Sequence, residues 1–360
     1  MLFCVVVSKT ARLLSLSMTA LKSNFVSLHR PYKLNFSITY WCNSHCLTCN
    51  IWQLRPKGEL SIDEIRSFAS KNNYFKWVEL TGGEPFMRSD IAEIAGTFVK
   101  SMPGLYVLTT PTNSLVNKDT VLNKVEAILN TGIPRFVITL SLDGYRELHD
   151  KIRGVPGNYS RVIELAKSLH DLQSRHSNLS FVFGYTISKY NAGMLKRTIE
   201  AVHNDLPWLD SNMFHVNIGQ VSDAYYKNSG NDFVAAPADI VGDVEYVLGI
   251  RKRSADPMQI IEHAFLRKLL VFLKTGRQPM RSRNIEASIF LDSFGDVYPS
   301  IMWNEKIGNI RSTDYNLLPV LASSKAAELR RTITEGKEPN SWTSCDAYQT
   351  LVGNIKELLL

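Results

Sequence analysis

Cysteine is scarce in this chain of 360 residues: there are five, and three of them fall within eight consecutive positions. So few thiols, so unevenly placed in a long chain, exclude a disulfide framework as the organising device. No apolar run approaches the roughly 20 residues that a transmembrane helix needs, and Leu2–Val7 is too short for a secretory signal core. Acidic residues are missing from the first 58 positions, which hold seven Lys or Arg. Those seven account for the whole formal charge of +7; beyond them the two signs balance at 34 each. With no basic stripe over the body of the protein, a general nucleic-acid-binding surface is not indicated.

The cysteines that are present sit together. Cys42, Cys46 and Cys49 stand in Thr39-Tyr-Trp-Cys-Asn-Ser-His-Cys-Leu-Thr-Cys-Asn-Ile-Trp52, directly after a β-rich apolar run from Lys33 to Tyr40. Three thiolates on one loop can hold three corners of a cluster and leave the fourth open, as a catalytic site requires. A zinc site would have to add His45. That residue lies between two of the cysteines, where a short loop struggles to aim four ligands tetrahedrally at one ion. Three inert buried thiols would leave the spacing unexplained, so an iron–sulfur site is the favoured reading.

Further along, polar and glycine-rich stretches end apolar strands. Val78-Glu-Leu-Thr-Gly-Gly-Glu-Pro85 closes on a glycine pair, which lets the backbone approach a ligand closely. Read by itself, it is also an ordinary strand-to-helix turn, with Ser89-Asp90 capping the next helix. Leu105–Asn113, Arg135–Gly144 and Phe181–Asn191 follow in the same style, and His149-Asp-Lys-Ile-Arg-Gly154 lies between the last two. Thr186, Ser188 and Asn191 either contact a ligand or satisfy a turn. Strand-like runs near 34–40, 76–81, 105–110, 135–142, 179–187 and 213–219 alternate with helix-like runs near 61–71, 89–101, 119–130, 158–175 and 192–204. That alternation predicts βαβ units and a parallel sheet, with functional groups at the C-terminal strand ends.

Cys-x3-Cys-x2-Cys after a first strand, followed by Gly-Gly-Glu-Pro, resembles the radical SAM enzymes over roughly residues 31–220. The resemblance implies an α/β fold, a partial (βα)6 TIM-like barrel. It also implies two cofactors, a [4Fe–4S] cluster on Cys42, Cys46 and Cys49, and S-adenosylmethionine (SAM) chelating the remaining iron. Reductive cleavage of SAM then gives a 5′-deoxyadenosyl radical that abstracts a substrate hydrogen. Carried over residue by residue, Gly82, Gly83 and Glu84 orient the SAM amino end, and Asn113 and Ser141 lie near the ribose. Arg153 either pairs with the SAM carboxylate or is a solvated loop charge. One departure is Thr48, which stands before the third cysteine where many relatives carry an aromatic or histidine beside the adenine; Trp52 follows three residues past Cys49.

The C-terminal third reads as two helices over 236–275, broken near Asp256-Pro257, and then a hairpin over Ala287–Ser300 turning near Gly295-Asp296. It resembles a SPASM or twitch extension, in which a cysteine normally follows the hairpin; here Ser300 fills that place. Outside the first loop only Cys4 and Cys345 remain, too few for an auxiliary cluster. The expected organisation is a basic amphipathic extension over 1–30, the radical SAM core over 31–220, a helical linker over 221–284, and a degenerate SPASM-like α+β domain over 285–360.

In the extension, Leu14, Met18, Leu21, Phe25 and Leu28 recur at spacings of four and three, one apolar stripe if helical. It reads as a membrane-surface helix, as an organellar presequence, or as an ordinary helix packed on the open side of the barrel. An oxygen-sensitive cluster favours a reducing interior, so the expected location is cytoplasmic, with peripheral contact on the inner membrane face through residues 9–28 as the variant. The SPASM-like tail favours a peptide or amino-acid side chain as substrate. A lipid or isoprenoid chain modified at the membrane surface is the second option, and a non-catalytic iron–sulfur or SAM-binding protein is the third. An electron donor such as flavodoxin or ferredoxin completes the expected partners.

Overall fold

A computed structural model of the protein describes residues 8–358; Cys4 and the Leu2–Val7 run lie outside them. Helix α1 (Lys9–Lys22) comes first. Repeated strand–helix units follow: β1 (Lys33–Thr39) with α2 (Ile62–Lys71), β2 (Trp77–Gly82) with α3 (Ile91–Ser101), and β3 (Val107–Thr112) with α4 (Lys118–Leu129). Next come β4 (Arg135–Ser141) with α5 (Arg146–Arg153) and α6 (Asn158–Arg175), and β5 (Leu179–Ile187) with α7 (Leu195–Asp205). Strand β6 (Phe214–Ile218) precedes α8 (Pro237–Ile250) and α9 (Pro257–Thr275). Both of these helices open on a proline, which tolerates the first turn because its missing N–H would be unpaired there anyway. The chain ends with β7 (Ser288–Leu291), β8 (Asp296–Tyr298), β9 (Gly308–Asn309), α10 (Leu317–Leu321), α11 (Ser324–Thr334), α12 (Ser344–Val352) and α13 (Ile355–Leu358).

The sheet runs β6-β5-β4-β3-β2-β1-β7-β8-β9 and is open. Strands β1 to β6 are parallel in sequence order. Strand β7 adds in parallel on the far side of β1, pairing Lys33 with Ser288 and Phe36 with Leu291. The predicted hairpin is present as antiparallel β7–β8. It continues the core's own sheet across the boundary expected at residue 285.

Strands β4 and β5 alternate strictly between buried and half-buried positions. Phe136, Ile138 and Leu140 face the helices, whereas Thr139 and Ser141 face the sheet's concave side. On the helix side, Phe36 lies edge-on to Phe98 with ring centroids 6.1 Å apart, and it also contacts Phe68. Complete burial of such a side chain contributes roughly 2–3 kcal/mol. The C-terminal segment is tied to the barrel through α2. Ser61 and Glu64 form a capping box there, and Arg311 pairs with Glu64 at 2.7 Å. The hydrogen bond from Arg311 holds the Glu64 carboxyl down at about 2.

Helix α1 lies across the N-terminal ends of the strands. Arg12 Nη1 donates to the Leu105 carbonyl (3.2 Å), Lys76 Nζ donates to the Ser15 carbonyl (3.1 Å), and Ala20 packs with Tyr32 and Ala287. Tyr32, Lys76, Leu105 and Ala287 sit at or just before the starts of β1, β2, β3 and β7. The helix therefore floors the barrel instead of packing through its apolar stripe. Leu14, Met18, Leu21 and Phe25 point outward and are 56, 62, 45 and 81% exposed. The ordinary-packed-helix reading is corrected to that extent. The docked face is made of Arg12, Ser15, Leu16 and Ala20, whose small or bonding side chains let the helix lie close. Leu28, beyond the helix end, leaves the stripe and joins the Ala20–Tyr32–Ala287 cluster.

Candidate active site

On the concave side, alternate residues of the parallel strands line a cavity of about 270 Å³. Asn35 and Glu79 face it from β1 and β2, Ser141 from β4, Thr186 from β5, and His215 and Asn217 from β6. The loop after β1 brings Cys42, Cys46 and Cys49 to the same cavity, joined by Gly82, Gly83, Glu84, Asn113 and Arg153. The three cysteines, the Gly82–Gly83–Glu84 turn, Asn113, Ser141, Arg153 and Thr186 thus reach one place, at the C-terminal ends of the strands; Ser188 and Asn191 do not.

The glycine pair is required for the two loops to meet. Gly83 N donates to the Thr39 carbonyl and Glu84 N to the Trp41 carbonyl, both at 2.8 Å. A Cβ on Gly82 would stand 2.0 Å from Thr39 O, and one on Gly83 would stand 2.3 Å from Trp41 O. Gly82 also has φ +134°, outside the range of L side chains. Glu84 is fully buried, and its two carboxylate oxygens accept from the backbone N–H groups of Phe86 (3.1 Å) and Asn113 (2.7 Å). Burial raises its pKa to about 7 in spite of those bonds.

Hydrogen-bond donors lie beside two of the three sulfurs, while Cys49 Sγ lies 3.8 Å from the Tyr226 carbonyl. Asn113 Nδ2 lies 3.8 Å from Cys42 Sγ, Ser44 Oγ 3.2 Å from Cys46 Sγ, and Arg153 Nη1 3.7 Å from Cys46 Sγ. Burial pushes the Cys42 thiol up to about 12 and the Cys49 thiol higher still, and the neighbouring Cys46 adds to both. Such thiols ionise when cationic iron takes the proton's place. Among the described residues, no three His, Cys, Asp or Glu side chains converge as ligands of a single ion would. A cluster puts its cysteines on separate irons, and three sulfurs around one cavity, two of them with N–H or O–H donors beside them, suit it. The zinc alternative fails on His45. That ring is on the outside, edge-on to Trp52 at 4.9 Å, and takes no part in the cavity.

Arg153, at the end of α5, is not a solvated loop charge. Its side chain is 15% exposed, and Nε lies 2.7 Å from Asp143 Oδ2, although the N–H does not point along that contact. Burial works against its charge, but Asp143 and Cys46 outweigh it, so the guanidinium stays protonated. Asp143 is in turn clamped: its backbone N–H donates to His149 Nδ1 (3.0 Å), and its Oδ1 accepts from Thr186 N (2.9 Å). Accepting at Nδ1 makes His149 the neutral Nε2–H tautomer, which donates to Asn158 Oδ1 at 3.0 Å. Asn158 Nδ2 then donates to the Asn113 carbonyl (2.8 Å). Ser188 and Asn191 are fully buried and bond each other, Asn191 also donating to the Asp143 carbonyl (2.8 Å). These two satisfy a turn.

Several cavity residues have no counterpart in the motif reading. Tyr225, from the loop after β6, donates to the Gly82 carbonyl (3.0 Å) and accepts from Gly82 N (3.1 Å), clasping the glycine turn. His215 Nδ1 lies 3.0 Å from Glu262 Oε2, and its Nε2 lies 3.0 Å from Ser344 Oγ. Cys345, which no motif claimed, is half-buried and lines the cavity 4.0 Å from Glu79. Asn35 is 1% exposed with both amide atoms unpaired. A sequence signal existed for Asn35 and Glu79. Each is a polar residue at an alternate position of a strand buried on both faces, where an apolar run is the rule.

An open parallel sheet with a three-cysteine loop at its C-terminal edge defines a class of cluster-binding α/β enzymes, and the comparisons identify which. Residues 36–202 match the Radical SAM superfamily. The match gives the chain a radical SAM domain over a little under half of its length; the enzymes of that superfamily use a [4Fe–4S] cluster and SAM. It is 29% identical over 175 residues to AdoMet-dependent heme synthase of Methanosarcina barkeri (strain Fusaro / DSM 804), covering 47% of this chain and 46% of the relative. It is also 29% identical over 146 residues to the antilisterial bacteriocin subtilosin biosynthesis protein AlbA of Bacillus subtilis (strain 168), covering 39% and 31%. These alignments span less than half of either relative's length. The solved structure of native anSMEcpe with bound AdoMet and Kp18Cys peptide superimposes with TM-score 0.60 at 15% identity, over 91% of this chain and 98% of that one. That last likeness is one of fold.

Proposed function

We propose that the chain cleaves SAM reductively at the three-cysteine loop and directs the resulting radical at a peptide or amino-acid side chain. The observation that carries this reading is the meeting of Cys42, Cys46 and Cys49 with the Gly82–Gly83 turn in one cavity, hydrogen-bond donors lying beside two of the sulfurs. The three thiolates would hold three irons of a [4Fe–4S] cluster and leave one for SAM. Bound there, the two cofactors supply one-electron cleavage of the sulfonium and a 5′-deoxyadenosyl radical able to abstract a substrate hydrogen.

The chain's own groups bind, orient and exclude water. Gly82 and Gly83 keep the turn close enough to offer backbone groups to the SAM amino end. Glu84 acts through that turn, its carboxylate being committed to Phe86 and Asn113. Asn113 and Ser141 stand at the strand ends for the ribose. Arg153, held by Asp143, donates toward the Cys46 thiolate and keeps a guanidinium edge for the SAM carboxylate. Tyr225 and Tyr226 close the cavity over the cysteines and Cys345, limiting access of water to a reactive radical.

The lining also bears on the substrate. Relatives carry both a bacteriocin-biosynthesis name and a heme-synthesis name. Among the described lining residues the acids are Glu79, Glu84 and Asp143, and the bases are Arg153 and His215, each already paired. A polycarboxylate tetrapyrrole would find no uncommitted cation there. An amide would find the unpaired donor and acceptor of Asn35, beside the carboxylate of Glu79 in register on the next strand. A lipid substrate draws no support from α1, whose stripe lies at the opposite end of the strands from the cavity.

The test is 5′-deoxyadenosine formation after anaerobic cluster reconstitution with SAM and a strong reductant, beside Cys46→Ala. Product from the wild type alone is the expected result. A wild-type protein that loads no cluster would overturn the assignment. A loaded protein that binds SAM yet stays silent with every peptide offered would favour a binding role.

A further inference from the structure

We propose that the outward face of α1 docks the protein on an anionic lipid bilayer. Leu13, Leu14, Met18, Leu21, Phe25 and Val26 are all exposed large apolar residues on one short segment, Phe25 the most so at 81%. The other side of the helix is fully engaged with the barrel floor through Arg12, Ser15, Leu16 and Ala20, so the stripe is not left over from a helix that failed to pack. The helix is fastened at its end as well, where Asn24 donates to the Val352 carbonyl (2.9 Å) and accepts from Ile355 N (2.7 Å).

Charge selects the occupant. Exposed Lys9 and Lys22 flank the stripe, Arg30 lies over the Tyr74 ring just beyond it, and exposed Lys356 stands on the adjoining α13. Glu286, which accepts from Ser27, already has Arg283 at 3.3 Å. The segment carries no acid of its own before Glu59. An apolar stripe rimmed by cations complements a surface of anionic headgroups over acyl chains. A second copy of the chain fits less well. A two-fold contact would set those lysines against their own copies, and six side chains fall far short of the roughly 20–30 residues a side of a stable interface.

The geometry gives docking a direction. The stripe lies at the N-terminal ends of β1–β3, so a docked protein would present its cavity to the aqueous side. The contact would be a tether, with no lipid delivered to the site, and it is independent of the cofactor chemistry.

The experiment is flotation of the full chain with vesicles of mixed phosphatidylglycerol and phosphatidylcholine, and with phosphatidylcholine alone, at low and high salt. The wild type should float with the anionic vesicles and lose about tenfold in binding on neutral vesicles or at high salt. Leu14→Ser/Met18→Ser/Phe25→Ser and, separately, Lys9→Glu/Lys22→Glu should each lose about tenfold or more with an unchanged melting temperature. A wild type that stays in the bottom fraction with anionic vesicles would overturn the proposal. So would a dimer in solution that the triple serine variant converts to monomer, because the stripe's occupant would then be a second copy.

Discussion

At the C-terminal ends of the parallel strands, polar side chains turn inward and are held by one another; at the N-terminal ends, apolar side chains turn outward and stay exposed. Asp143, His149, Asn158 and Asn113 form a continuous buried chain of hydrogen bonds behind the cysteine loop. Leu14, Met18 and Phe25 lie on a helix whose other face does the packing. Each end inverts the usual distribution of polar and apolar groups, and the inversions differ in cost. A buried polar group left without its partner loses about 1–3 kcal/mol, whereas exposed leucines are thermodynamically tolerated and only invite contact. Substitutions should therefore be severe at one end and nearly silent at the other.

The sharpest break is expected at the glycine turn. Gly83→Ala puts a Cβ 2.3 Å from the Trp41 carbonyl. It should cost about 3 kcal/mol or more, seen as a lower melting temperature of the cluster-free protein, together with poor cluster loading. A variant as stable as the wild type would mean that the two loops separate freely. Next in size is Arg153→Lys, which keeps the charge but loses the guanidinium fork. Cluster retention or SAM binding should fall about 10–100-fold, followed by the cluster's visible absorbance and by SAM titration. Unchanged values would make Arg153 a purely structural partner of Asp143.

The buried chain also predicts a pH dependence. Burial, reinforced by Arg153, holds His149 down at about 3, below its ordinary 6.5. The unfolded chain then takes up a proton between those values that the folded one refuses. The resulting stability is present above pH 6.5 and is lost as the pH falls toward 3. Between pH 6.5 and 5 the loss is about 2 kcal/mol. Melting curves of the cluster-free protein should show that acid limb, and His149→Gln should flatten it. An equally steep limb in the variant would assign the effect to other groups. The smallest effect belongs to the other end: Leu14→Ser and Met18→Ser should each change stability by no more than about 0.5 kcal/mol. A larger loss would show that the stripe is covered within the chain itself.

Most of the core was legible in the sequence. Strands and helices from β1 to α7 fall within three residues of their predicted ends, α5 being the exception; it forms from the His149–Gly154 segment and was not anticipated as a helix. The glycine turn and the three cysteines were legible because their spacing within one short stretch already confines them. Arg153 was ambiguous because its partners, Asp143 and Cys46, come from two other loops. Cys345 and Ser344 reach the cavity only because α12 returns to the sheet next to β6, more than a hundred positions along the chain.

What the sequence determined by itself was local: the periodicities that make the βα units, the loop that gathers three thiols, and the amphipathic pattern of α1. What the tertiary structure alone decided was direction and company. A stripe at spacings of four and three says that one helix face is apolar, but not whether that face meets the barrel or the solvent. The opposite face settled this, because Arg12 and Ser15 bond to residues next to the starts of β2 and β3, and Ala20 packs beside the starts of β1 and β7. In the same way, Arg153 at the end of α5 becomes a neighbour of Cys46 only when the sheet sets that helix end against the cysteine loop. Burial and long-range hydrogen bonding are properties of the folded sheet, and no short window of the chain contains them.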